Sequence, residues 1–235
     1  MSGDGGPNPS PAYPAPPGCR EPPPDRMSPE PDPRRQLRED LRRRRRTLPA
    51  AERAAAAERV ARHLLALPCA PRTGHVAGYW ASDGEIDLEP WRQRLPAGCS
   101  YCLPVLGKGF RLHFAPWRPG DAVVENRFGI PEPDVPASAL LPAEAMTLMV
   151  LPVVGFGPQG QRLGMGGGWY DRNLAFRRDR PAPPWLVGAA FELQRLDTLR
   201  AEPWDVPLDA ACTEAASHDF HSRHRPPSSE TTPAE

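Results

Sequence analysis

Lysine is almost missing from this sequence. Lys108 is the only one in 235 residues, so nearly all of the 29 basic side chains are arginine. A phosphate loop of the Walker kind needs a Lys-Ser/Thr pair behind its glycines, and none is present. No apolar stretch approaches the roughly 20 residues of a membrane-spanning helix. Nothing before Arg34 supplies the apolar core of a secretory signal, so a cytoplasmic protein without membrane partners is expected. Cysteine is scarce and odd in number, with Cys19, Cys69, Cys99, Cys102 and Cys212 scattered along the chain, which argues against a disulfide framework. Cys99 and Cys102 form a C-x-x-C, but no second pair completes a zinc site and the motif runs into an apolar stretch, so packing within a strand is expected. Recognisable Ser/His/Asp or Cys/His nucleophile constellations are lacking as well. Formal net charge is zero, which gives no overall basic balance for nucleic acid.

Proline is in excess, with 34 in the chain and 12 of them before Arg34. Residues 1–33 hold too few apolar side chains to offset the entropy of ordering them, and they read as a disordered extension. A start at Met27 would remove most of it. Residues 218–235 are polar and read as a disordered tail, including His218, His221 and His224. Residues 34–217 remain for one domain with a sizeable core.

Within that domain, Leu37 and Leu41 lie four apart while Arg34, Arg38 and Arg42 recur on another face, which predicts an amphipathic helix over 34–46. Pro49 and Glu52 open a second helix with Val60, Leu64 and Leu67 as its stripe, completing an αα-hairpin. Alternating segments follow. Strands are expected at 75–80, 100–106, 111–115, 146–154 and 185–190, with helices at 88–95, 168–178 and 192–199. Two prolines keep 128–133 extended. The run at 146–154 is apolar without interruption, as in a strand buried on both faces of a parallel sheet. The fold class predicted is therefore α/β, a single three-layer domain with a mainly parallel sheet and helices on both faces. Ligands of such sheets collect where strands end and helices begin.

Two glycine patterns follow the apolar strand. Gly155-Phe156-Gly157-Pro158-Gln159-Gly160 matches G-x-G-x-x-G literally, yet Pro158 interrupts it and no helix opens there, so a dinucleotide site is set aside. The second, Arg162-Leu163-Gly164-Met165-Gly166-Gly167-Gly168-Trp169-Tyr170-Asp171, sets four glycines beside an arginine ahead of a predicted helix. Bare amides, a helix N-terminus and a guanidinium suit a phosphate. Asp171 suits Mg²⁺, which phosphate sites recruit through one or two carboxylates.

Together with the stretch from Leu151 to Gly157, this loop resembles the signature of the 5-formyltetrahydrofolate cyclo-ligases, also called methenyltetrahydrofolate synthetases. Arg34-Arg35-Gln36-Leu37-Arg38, the acidic loop with Glu85-Ile86, and Gly129-Ile-Pro-Glu-Pro133 resemble further segments of that family in the same order. The resemblance implies ATP-dependent closure of 5-formyltetrahydrofolate to 5,10-methenyltetrahydrofolate, with ATP as co-substrate and Mg²⁺ as cofactor. It implies that Arg34, Arg35, Gln36, Leu37 and Arg38, with residues Arg162 to Tyr170, bind ATP. Trp80, Glu85, Met165 and Trp169 would contact folate, with or without a polyglutamate tail. Arg162 and Tyr170 would be catalytic, and Asp171 and Asp205 would hold the metal. A monomer with no nucleic-acid partner is expected. Arg34 stands where the family usually has lysine, Trp169 where it has tyrosine and Met165 where some members are basic, so raised KM values are expected. The alternatives are an inactive relative that binds RNA through the eight arginines of 34–46, or another ATP-dependent small-molecule ligase.

Overall fold

The structure is a computed structural model and describes residues 32–220. Helix α1 (Pro33–Arg46) carries proline at its first position, where a missing N–H costs nothing. Helix α2 (Ala50–Ala66) buries Ala56, Ala57, Val60, Ala61 and Leu64, one stripe at helical spacing. It stops because Pro68 forces Leu67 into the extended region. The two helices are consecutive, as expected, but they serve different cores. Leu41 of α1 joins Val154, Leu163 and Leu199, whereas the α2 stripe packs on the sheet.

Seven strands form that sheet: β1 (Thr73–Ala77), β2 (Gly98–Leu106), β3 (Leu112–Pro116), β6 (Met146–Pro152), β9 (Trp185–Ala189), β10 (Ala210–Cys212) and β11 (Ser217–Asp219). Their order is β11-β10-β9-β6-β1-β2-β3. The five inner strands are parallel, and the two edges, β3 on β2 and β11 on β10, are antiparallel. Two small ribbons lie apart, β4 (Val123–Glu125) with β5 (Pro131–Pro133) and β7 (Gly155–Phe156) with β8 (Arg162–Leu163). Strand β6 occupies the centre because both its faces are apolar. Leu148 and Val150 meet α2 and the short helix α3 (Glu89–Arg92). Met149 and Leu151 meet the opposite core of Phe156, Leu174, Val206 and Leu208. Each large aliphatic so buried contributes about 1.5–3 kcal/mol.

Three expectations need correction. The helix predicted over 168–178 is one short helix, α4 (Trp169–Asn173), followed by a 3-10 turn over Ala175–Arg178. The helix predicted over 192–199 is only a 3-10 turn, Glu192–Gln194, because Leu196 and Leu199 turn inward toward Leu41 rather than line a helical stripe. The tail predicted from His218 does not start there: Ser217–Asp219 is an edge strand, and Phe220 is buried against the core. His218 contacts Glu192 at 3.3 Å. His221 and His224, like residues 1–31, lie outside the described residues.

Candidate functional site

Residues 155–163 form a hairpin, not the opening of a helix. Gly155 and Phe156 pair with Leu163 and Arg162, and Gly157 N–H donates to the Gln161 carbonyl at 2.9 Å. This geometry removes the dinucleotide match and delivers Arg162 to the start of the second glycine stretch. There Gly166 (φ 94°) and Gly168 (φ 65°) occupy the left-handed region, which residues with a Cβ enter only with strain. Since α4 spans five residues, little dipole stands behind the turn; its positive charge comes from arginines instead.

Those arginines arrive from two directions. Arg162 is almost fully buried. Its guanidinium donates to Asp171 Oδ1 at 2.6 Å and lies 5.7 Å from the Tyr170 ring centre. Its Nε is buried with no hydrogen-bond partner among the described residues. From α1, Arg38 Nε donates to the Gly164 carbonyl at 2.9 Å, and its guanidinium lies beside Gly166. One turn earlier, Arg34 meets Asp205 at 3.0 Å and Glu202 at 3.5 Å. Helical spacing brings 34 and 38 to one side and takes their neighbours elsewhere. Arg35 is exposed and pairs with Glu39, Gln36 is exposed, and Leu37 packs with Leu41. The structure therefore places none of the Arg35, Gln36 and Leu37 side chains against the turn. Leu163 is wholly buried and offers only its backbone.

Asp171 Oδ1 also accepts from the Val206 amide at 3.2 Å, which sets it next to Asp205 in the chain. Asp205 Oδ2 accepts from the Glu202 amide at 2.9 Å. Each carboxylate uses one oxygen in these bonds, leaving Asp171 Oδ2 and Asp205 Oδ1 for a hard cation. Oxygen donors of this kind fit Mg²⁺.

A second group gathers behind Tyr170. Glu85 accepts from the Ser82 amide at 3.1 Å and Ser82 Oγ at 3.4 Å, with Arg45 at 3.5 Å. Burial pushes its carboxyl above the usual range, against the Arg45 charge and the Ser82 bonds. Burial likewise pushes the Tyr170 phenol well above its ordinary value; the Glu85 charge adds to this and the Arg162 charge opposes it. The same burial that raises it favours the protonated phenol. Tyr79 is raised by burial and by Glu85 in the same way. Tyr101 reaches this region because Gly78 has no side chain, a Cβ there falling 2.1 Å from the phenol oxygen. Trp80 meets Trp117 edge-on with centroids 5.3 Å apart. Trp169 packs at 5.2 Å on Phe110 and 6.4 Å from Phe128, with the Arg127 guanidinium 5.2 Å from its ring. Met165 is exposed on the turn. A cleft of about 540 Å³ shares Tyr101 and Trp117 with this group and none of the turn residues.

Sequence reasoning missed Tyr79, Tyr101, Trp117, Phe110, Phe128 and Arg127, which lie on separate segments with no shared spacing. Arg45 was within reach, since 38, 42 and 45 continue one helical stripe. It also missed that the arginine-rich helix is engaged within its own domain. Seven of the eight arginines in 34–46 meet an acid or a carbonyl.

Fold and turn together define a parallel α/β domain whose glycine turn is flanked by arginines and two carboxylates. Comparison with known proteins gives its family. The family model of the 5-formyltetrahydrofolate cyclo-ligases matches residues 31–214. The 5-formyltetrahydrofolate cyclo-ligase of Escherichia coli K12 is 35% identical over 176 residues, covering 74% of this chain and 96% of the relative. That of Haemophilus influenzae is 35% identical over 179 residues, covering 74% and 94%. The solved 5,10-methenyltetrahydrofolate synthetase of Aquifex aeolicus superposes with a TM-score of 0.70 at 26% identity, covering 85% of this chain and 99% of its own. This chain belongs to the 5-formyltetrahydrofolate cyclo-ligase family.

Proposed function

We propose that the chain converts 5-formyltetrahydrofolate and ATP to 5,10-methenyltetrahydrofolate, ADP and phosphate. The relatives are cyclo-ligases by name, and the family uses ATP as co-substrate. A formyl oxygen is a poor leaving group. Transfer of the γ-phosphoryl to that oxygen lets it depart as phosphate once N10 of the folate attacks the formyl carbon, so no side-chain nucleophile is needed. Catalysis then rests on positioning and charge neutralisation.

The observation that best supports this reading is the meeting of Arg38 with the Gly164 carbonyl beside the Arg162–Asp171 pair. Arg34, Arg38 and Arg162 take up phosphate charge, and the open amides of Gly166 to Gly168 face the transferring oxygens. Asp171 and Asp205 hold Mg²⁺, which when bound supplies charge neutralisation to the phosphates. Tyr170, kept protonated, donates a hydrogen bond at the reacting centre. Glu85 accepts the paired N–H groups of the pterin edge, and Trp80 and Trp169 offer ring faces for stacking. In this reading the enzyme acts as a monomer in the cytoplasm.

The test mixes purified protein, 5-formyltetrahydrofolate and Mg²⁺ with and without ATP and follows the near-ultraviolet absorbance of the methenyl product. An ATP-dependent rise is expected; its absence overturns the reading.

A further inference from the structure

Arg45 has no place in the reaction so far, yet it is the most completely buried cation of the domain, at 0% exposure. Such a group survives burial only when its donors are satisfied, and each branch of this fork has a partner. Nε donates to the Asp83 carbonyl at 2.9 Å, Nη2 to Asp83 Oδ2 at 2.9 Å, and Nη1 to the Val153 carbonyl at 3.3 Å. Glu85 Oε1 lies 3.5 Å from Nη2. Val153 follows β6 directly, where the chain turns toward the glycine hairpin, and Gln194 Nε2 pins the same carbonyl at 2.7 Å. One guanidinium therefore ties the acidic loop of residues 82–85 to the end of the central strand.

The loop needs such a tie. Asp83 (φ 51°) and Gly84 (φ 76°) are successive residues in the left-handed region, and Asp83 is there despite its Cβ. Arg42 at 2.7 Å and Arg46 at 2.6 Å add to the hold on the Asp83 carboxylate. The stripe that ends in this clamp begins with Arg34 and Arg38 at the nucleotide turn, so one rigid helix spans both ligands' sites.

We propose that Arg45 is a positioning residue for substrate binding: by fixing the Asp83 turn to Val153, it holds the Glu85 carboxylate where the pterin edge meets it. The proposal rests on the reading of Glu85 as a folate contact. Lysine is no substitute, because a point charge cannot reach Asp83, Val153 and Glu85 in one plane.

Steady-state kinetics of the full chain test it. Arg45→Lys and Asp83→Asn are each expected to raise the KM for 5-formyltetrahydrofolate about tenfold while leaving the KM for ATP within about twofold. Glu85 is faced by Arg45 from α1, Asp83 from its own loop, Tyr79 before it and Tyr170 from α4. Loss of the only cation among these in Arg45→Met moves the acid limb of folate affinity to higher pH. Placing Arg45→Lys in a Glu85→Gln background is expected to add little, since the arginine acts through that carboxylate. Equal rises in both KM values, or additive effects in the double variant, overturn the positioning role while leaving Glu85 in place. If Glu85→Gln alone leaves folate KM unchanged, the folate reading of Glu85 fails and the proposal falls with it. Asp83 is partly exposed, so its variant keeps the test open should the Arg45 variants not fold.

Discussion

The guanidinium of Arg34 meets the carboxylate of Asp205 at 3.0 Å across 171 residues of sequence. The contact closes the domain on itself, since the first turn of α1 holds the loop that precedes β10. In the proposed reaction both residues face the nucleotide, so the pair ties folding of the first helix to assembly of the phosphate site.

Arg38→Ala removes a charged hydrogen bond to the Gly164 carbonyl and a cation from the turn. Bonds of this type are worth about 1.5–3 kcal/mol, so the KM for ATP is expected to rise between tenfold and a hundredfold with folate KM little changed. Arg35→Ala, on the exposed side, is the control and leaves both constants alone.

Asp171→Asn takes away the charge that orients Arg162 and one of the two carboxylates suited to Mg²⁺. A fall in kcat of about 10²–10³ is expected, the scale of losing one preorganised electrostatic contact, with the Mg²⁺ dependence moved to higher concentration. Circular dichroism should be unchanged.

Glu85 titrates above an ordinary glutamate because burial outweighs the help of Arg45 and Ser82. The stability it contributes is therefore fully present below its unfolded value of about 4.3 and is lost as pH rises through the raised folded value. Glu85→Gln is expected to melt higher than the unaltered protein at neutral pH, with the gap closing toward pH 4, while folate binding weakens at neutral pH. Thermal melts across that range, paired with folate titrations, check both.

Leu41 is 1% exposed and packs with Val154, Leu163 and Leu199. Leu41→Ala is expected to cost about 2–5 kcal/mol. The helix it anchors carries Arg34 and Arg38, so the KM for ATP should rise as well. Denaturant melts and kinetics on one preparation separate the two effects.

Met165 stands exposed between Gly164 and Gly166. Met165→Lys is expected to lower the KM for ATP or for folate several-fold at low salt, and the gain should shrink as ionic strength screens an exposed charge.

Local rules carried much of the fold. The period of Leu37 and Leu41, the stripe of α2 and the two-sided apolar run of β6 each reflect burial, and burial leaves its period in the residues. They were weaker where a segment is held by distant partners. Residues 192–199 were read as helical, but Leu196 and Leu199 turn inward because Leu41, far away in sequence, supplies the apolar surface they cover. Strand β11 was read as tail because an edge strand needs no alternation of its own when β10 supplies the ladder.

The chemistry divides in the same way. The glycine turn with Arg162 and Asp171 was visible in one stretch of sequence, because closeness along the chain and closeness in space coincide in a tight turn. That Arg34 reaches Asp205, that Arg45 lies under Asp83 and Glu85, and that Tyr101 comes against Gly78 depended on parallel strands, whose crossovers bring remote segments side by side. The residues set the glycine turn and its central strand. The tertiary structure chose which arginines of an arginine-rich helix serve that turn and which are spent on holding the acidic loop.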